Sequence, residues 1–122
     1  MSGIKYLVDT NFIIHLTQQK YWVEPFLDAN IYISFIFEME LLGVFSISKS
    51  HKANMQSLIN DCKVFELNQI IKYLAINLKQ KYKLKLADAI IASTAIHLEL
   101  PFITSDADFK SIKELELVFL EK

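Results

Sequence analysis

Arginine is absent from this chain: all 13 basic residues are lysines. Without a guanidinium the protein has no planar fork for gripping a carboxylate or phosphate through two parallel bonds, only point charges. A surplus of either sign is missing as well, since 13 basic residues face 14 acidic ones for a formal net charge of −1. Such a molecule has no global field to draw in a polyanion, so nucleic-acid binding has to come from a local patch. A single cysteine, Cys62, excludes an internal disulfide and reads as a reduced thiol of an intracellular protein. Two Gly and two Pro in 122 residues, with 52% apolar and 22% charged side chains, exclude disordered, collagen-like and linker-rich classes. No apolar run approaches the ~18 residues of a membrane span. The apolar stretch near Met1 is interrupted by Asp9 with no small-residue cleavage site after it, so the expectation is a soluble, cytoplasmic protein. The length suits one domain spanning 1–122, large enough to bury roughly 65% of the surface of its unfolded form.

What is present alternates between two periods. Residues 4–9 form a short apolar run that stops at Asp9-Thr10-Asn11, a strand followed by a helix cap. A helix is expected over 12–19, and a second short one over 21–28 with Pro25 within it or near its start. A strand over 31–33 leads to Ser34, which can cap a helix reaching about residue 45. Ser48 or Ser50 opens another helix, to Asp61, and 63–67 alternates as a strand. Apolar residues at 70, 71, 74, 78 and 82 predict a helix over 69–82. The stretch 86–98 is apolar almost all round, a deeply buried helix. Strands over 102–104 and 117–120, with a helical turn between them, close the chain. Strands separated by helices, rather than by hairpin turns, predict an α/β fold with a mostly parallel sheet covered on both faces.

Ligands of such sheets bind beyond the carboxyl ends of the strands, and four acids stand out on that ground. Asp9 ends the first strand and Asp106 follows the strand over 102–104. Glu40 and Asp88 interrupt the least polar helices, and an ionised carboxylate among apolar neighbours is costly to bury without a compensating charge. Each has an ordinary explanation alone: a cap, a first-turn acid, a solvated glutamate, a turn residue. With no arginine to neutralise the set, a hard divalent cation such as Mg2+ or Mn2+ is the natural compensator.

The same residues carry a resemblance. Leu7-Val8-Asp9-Thr10-Asn11, Ile33-Ser34 leading to Glu40-Leu41-Leu42-Gly43, Leu86-Ala87-Asp88-Ala89-Ile90-Ile91-Ala92, and Ile103-Thr104-Ser105-Asp106-Ala107-Asp108-Phe109 occur in this order along the chain. Together they resemble the PIN-domain family, specifically the VapC-type toxins of bacterial and archaeal toxin–antitoxin pairs. The resemblance implies a three-layer α/β/α sandwich and metal-dependent endonucleolytic cleavage of single-stranded or structured RNA. Asp9, Glu40, Asp88 and Asp106 match the family's acidic quartet as catalytic and metal-holding residues, and Asn11, Thr104 and Asp108 match positions that support it. It further implies a homodimer and a VapB-like antitoxin that inserts a basic side chain among the acids.

Two features stand apart from that pattern. Glu38 and Glu40 lie about 200° apart on a helix, so one of them faces the site; Glu40 shares its face with Ile36, Gly43 and Val44, is taken as the inward acid, and leaves Glu38 as the reserve. Arginine is missing, and the lysine run Lys79, Lys81, Lys83 and Lys85 with Tyr82 between them is either a solvated helix end or a guide for RNA phosphates, with Tyr82 stacking on a base. His15, His51 and His97 lack metal-ligand spacing and read as structural or surface residues. Tyr21-Trp22 with Phe35, Phe37 and Phe45 either fill the core or form a patch for self-association or a partner helix. A phosphoacceptor receiver domain is disfavoured because Asp9 is followed by Thr10-Asn11 rather than a second acid, and the strand over 63–67 ends without aspartate. An Asp-x-Asp phosphatase is disfavoured because Asn11 occupies its second acid position. The remaining alternative is a degenerate PIN domain that binds RNA or a partner without cutting.

Overall fold

The computed structural model describes residues 4–17 and 30–121. The expected helix over 21–28, Pro25, and Tyr21-Trp22 lie outside the described residues. The element order is β1 (Lys5–Val8), α1 (Thr10–Thr17), β2 (Asn30–Ser34), α2 (Phe35–Leu42), α3 (Lys49–Asn60), β3 (Lys63–Phe65), α4 (Gln69–Lys81), α5 (Leu86–Leu98), β4 (Phe102–Thr104), a 3-10 turn (Ala107–Phe109) and β5 (Leu117–Phe119). All strand pairings are parallel, in the spatial order β3-β2-β1-β4-β5. In register, Leu7 of β1 lies between Tyr32 of β2 and Phe102 of β4.

Successive residues of a strand point to opposite faces of the sheet. Leu7 and Val8 are both fully buried, as are Phe102, Ile103 and Thr104, so the centre of the sheet is covered on both sides. Helix α5 explains how it is covered: Ala89, Ile91, Ala92, Ser93, Thr94 and Ala95 are all buried, and small residues let the helix lie close to its neighbours. Its buried Thr94 hydroxyl donates back to the Ile90 carbonyl at 2.8 Å, which satisfies a polar group in an apolar setting. Among the described residues no helix is long and apolar enough to cross a membrane.

Helix starts are set by side-chain caps. Asp9 accepts from Phe12 N at 2.8 Å, Ser34 from Ile36 N at 3.1 Å, Ser48 from His51 N at 3.1 Å and Asn68 from Ile71 N at 2.8 Å. Each satisfies a backbone donor that the first helical turn leaves open. Of the two serines that could open α3, Ser48 is the cap.

Several boundaries differ from expectation. α2 stops at Leu42 instead of reaching residue 45, because Gly43 closes it with an N–H bond to the Met39 carbonyl at 2.7 Å. A Cβ at position 43 would sit 2.4 Å from that oxygen, so the glycine serves its own helix end. β3 ends at Phe65, two residues early, and α4 ends at Lys81 with Tyr82 already extended. Of the aromatic residues, Phe37 is in the core, Phe35 is half-buried and Phe45 is 96% exposed. Cys62 is half-buried, donates to the Leu58 carbonyl at 3.5 Å, and burial together with neighbouring Asp61 pushes its thiol up to about 11. It is therefore an unreactive protonated thiol at neutral pH.

Candidate active site

The strand order reverses between β1 and β4, since the chain builds β1, β2 and β3 in one direction and β4, β5 in the other. Beyond the carboxyl ends of strands at such a reversal the connecting segments diverge and leave a crevice. Asp9 lies directly after β1, and Asp106 lies two residues after β4. Glu40 comes from the last turn of α2 and Asp88 from the first turn of α5.

These four acids line one cavity of about 450 Å³, with Thr10, Asn11, Phe37, Ile91 and Phe109 as its other walls. No lysine is among its lining residues. Glu38 is half-buried elsewhere on α2, Asp108 lines a neighbouring cavity, and Thr104 lies beneath Asp9, fully buried.

Asp9 is held on both oxygens. One accepts from Phe12 N, which is the α1 cap, and the other accepts from the Thr104 hydroxyl. Thr104 Oγ1 in turn accepts from Asp106 N at 3.0 Å, and Asp106 accepts from Asp108 N at 2.9 Å, capping the 3-10 turn. A chain of hydrogen bonds thus runs from the turn after β4 to the end of β1, linking two of the acids through one buried threonine. On the other wall, Thr10 donates to Glu40 at 3.1 Å and ties α1 to α2. Thr10 does not stand out in the sequence because a threonine after a capping aspartate is an ordinary first helical residue; its partner is 30 positions away.

The electrostatics are those of crowded like charge. Burial raises the Asp9 carboxyl above its ordinary range, its two hydrogen bonds partly offset this, and Asp106 raises it further. Burial likewise raises Asp88, with Asp106, Asp108 and Glu40 adding repulsion and Lys85 opposing it. His15, a turn and a half along α1, favours the ionised form of Asp9. Among the described residues no three Asp, Glu, His or Cys side chains converge into a ready-made metal cage. The donors are all hard carboxylate oxygens lining an open space large enough for a cation with several of its waters. That suits Mg2+, which is typically held through one or two carboxylates and keeps several of its waters.

The lysine run divides in two. Lys79 donates to the Leu84 carbonyl at 2.9 Å, and Lys81 pairs with Glu114 at 2.8 Å. Tyr82, half-buried against the core, donates to Glu114 at 2.7 Å and accepts from Lys113 N at 3.1 Å. Through its hydroxyl Tyr82 latches the end of α4 to residues 113–114. Lys83 and Lys85 are exposed and line a second cavity of about 630 Å³ with Leu84, Asp88, Ala107, Asp108 and Ser111. Asp88 belongs to both cavities. Among the histidines, His51 is exposed and His97 packs edge-on against Phe65 beside Asn68.

Comparison with known proteins follows the same lines. A family model described as PIN domain matches residues 6–115. Among solved structures, a toxin–antitoxin complex from Klebsiella pneumoniae is similar at 30% identity, covering 93% of this chain and 95% of that one with a TM-score of 0.76. VapBC-1 from nontypeable Haemophilus influenzae is similar at 24% identity, covering 95% and 98% with a TM-score of 0.79. VapBC2 from Rickettsia felis, bound to a DNA fragment from its promoter, is similar at 24% identity, covering 95% and 98% with a TM-score of 0.72. The latter two speak for the fold alone. Comparison with curated proteins gives no match.

Proposed function

Because this chain belongs to the PIN-domain family, we propose that it is a metal-dependent endoribonuclease that cuts single-stranded or structured RNA, and that it is the toxin of a type II toxin–antitoxin pair. The observation carrying this reading is the meeting of Asp9, Glu40, Asp88 and Asp106, from four separate segments, in one cavity at the sheet's reversal point. Similarity to the Klebsiella pneumoniae toxin–antitoxin complex supports the biological setting, and RNA as substrate places the activity in the cytoplasm.

In this reading Asp9 and Asp88 hold a Mg2+ or Mn2+ ion directly, while Glu40 and Asp106 hold it through water or orient the attacking water. When bound, the ion supplies a Lewis acid that activates water and neutralises charge developing at phosphorus. The chain's own residues prepare the geometry. Thr104 and the Phe12 amide fix both oxygens of Asp9, so the carboxylate needs no reorganisation. Thr10 holds Glu40 from the opposite side. Asn11, on the cavity wall, presents an amide to a phosphate oxygen or a carboxylate, and Phe37, Ile91 and Phe109 give the site an apolar floor that strengthens its electrostatics.

Two partners follow. An antitoxin with an apolar helix and a basic side chain suits the surface around the acids, where Met39, Val44 and Phe45 are exposed next to Glu40. A second copy of the chain suits the exposed apolar stripe of α4.

The alternative, an RNA-binding domain that does not cut, draws on the lack of a ready-made cage of three carboxylates among the described residues. Incubating purified protein with labelled RNA separates the two. Cleavage is expected with Mg2+ or Mn2+, none in EDTA, and a drop of at least ~100-fold in Asp9→Asn and Asp88→Asn. Cleavage without metal, or full activity in Asp88→Asn, overturns the assignment; RNA bound but left whole under every divalent ion selects the alternative.

A further inference from the structure

The second cavity shares a wall with the first and differs from it in charge. Its volume of about 630 Å³ lies within the range of small-molecule sites. Asp88 separates the two spaces from one side and the 3-10 turn from the other, since Asp106 and Phe109 face the acidic cavity while Ala107 and Asp108 face the second.

Extended backbone explains why only two lysines of the run reach it. Tyr82 and Lys85 both have extended dihedrals, φ −127°, ψ 153° and φ −67°, ψ 152°, and alternate side chains of extended chain point in opposite directions. Tyr82 and Leu84 turn in and pack against the core, whereas Lys83 and Lys85 turn out to the cavity. Among the described residues neither lysine's ammonium has a hydrogen bond or ion pair within 4 Å, unlike those of Lys79 and Lys81. Residues 113–114, which follow directly on the facing wall at 107–111, are joined to this segment by the Tyr82–Glu114 and Tyr82–Lys113 hydrogen bonds. The cavity is thus braced by the fold.

We infer that this cavity is a subsite for the nucleotide next to the scissile phosphate, with Lys83 and Lys85 contacting its backbone phosphate. Asp108 and Ser111 on the opposite wall accept hydrogen bonds from the ribose 2′-hydroxyl or from base N–H groups, and the Asp108 carboxylate keeps phosphate on the lysine side. The ligand class rests on the ribonuclease reading; the division of labour among the lysines rests on geometry alone.

The test compares the double variant Lys83→Ala/Lys85→Ala with Lys49→Ala/Lys52→Ala, a pair of exposed lysines on α3, in two measurements. In cleavage of a short single-stranded RNA, the first pair is expected to raise KM about tenfold with kcat kept within about threefold, and the second to leave KM within about twofold. In binding of the same RNA in EDTA, followed by fluorescence anisotropy over a range of salt, the first pair is expected to flatten the slope of log affinity against log salt by about 0.7, the share of the one phosphate no longer neutralised. An unchanged KM and slope in the first pair, or equal losses in both pairs, overturns the subsite. If no metal supports cleavage yet binding still depends on Lys83 and Lys85, the nuclease reading fails and the cavity stands as a site for an RNA phosphate alone. RNA that does not bind at all overturns the subsite.

Discussion

Asp9 is 6% exposed, takes hydrogen bonds on both oxygens and is pressed by Asp106. Its ionised form is therefore well positioned but poorly solvated, and without a cation it opposes folding. An asparagine keeps the oxygen that caps α1 and can still bond to Thr104, while the charge is gone. Asp9→Asn is accordingly expected to melt above the wild type in EDTA, although it no longer cuts RNA. Added Mg2+ then stabilises only the wild type, by roughly 1.4 kcal/mol at ten times its Kd. Thermal melts with and without Mg2+ check this; a variant less stable than the wild type in EDTA would mean that the carboxylate is chiefly a structural cap. At this scale the acids were legible because Asp9 and Asp106 follow strands and Glu40 and Asp88 interrupt apolar helices. The Thr104–Asp9 link was only half legible: the threonine was visible, but a bond between residues 95 positions apart leaves no local trace.

The lysine run left two readings open, a solvated helix end or a guide for RNA phosphates, because lysine at every second position between 79 and 85 suits a solvated surface on either a helix or an extended chain; Lys79 and Lys81 lie in the last turn of α4, and Lys83 and Lys85 lie beyond it. Its period of two, with Tyr82 and Leu84 alternating against Lys83 and Lys85, was present in the sequence all along. What could not be seen was Glu114, which draws Lys81 and Tyr82 away from solvent duty. Those hydrogen bonds, from Lys81 first and Tyr82 second, hold the Glu114 carboxyl down at about 2, below its ordinary 4.5. A lowered folded value means that the latch stabilises the protein fully above about pH 4.5 and loses that contribution as the pH falls toward about 2. Since the Lys81 and Glu114 side chains are 58% and 38% exposed, solvent screening keeps the effect small. Glu114→Gln is expected to be slightly less stable than wild type at pH 6 and equal to it near pH 2. Denaturant titrations across this window check it, and a difference independent of pH would assign the loss to packing. The length of α2 was overestimated for a related reason. The apolar run continues through Val44 and Phe45, and the helix-ending role of Gly43 depends on its clearance from Met39 O.

Alternating strands and helices announced a parallel sheet, but they do not say where the chain reverses direction, and that reversal makes the site. The order β3-β2-β1-β4-β5 places the ends of β1 and β4 side by side, which converts acids nearly a hundred residues apart into neighbours. Long-range strand order depends on the packing of whole helices, so no local pattern encodes it. Among the described residues the same packing leaves one apolar face uncovered. α4 buries Ile71, Ala75 and Leu78 and turns Ile70, Tyr73 and Ile76 outward, 55%, 52% and 45% exposed. Residues three apart lie on one side of a helix, so the outward set forms a continuous apolar stripe, and a second copy of the chain is the occupant we expect there. In a two-fold dimer each side chain enters the interface twice. At roughly 1.5–3 kcal/mol for full burial of one large apolar side chain, charging two positions should weaken association by at least about 100-fold. The wild type is therefore expected to run as a dimer at micromolar concentration in light scattering, and Ile70→Lys/Ile76→Lys as a monomer with an unchanged far-ultraviolet circular dichroism spectrum. A monomeric wild type would remove the second copy from this face, and a dimer that survives both lysines would move the interface elsewhere on the molecule.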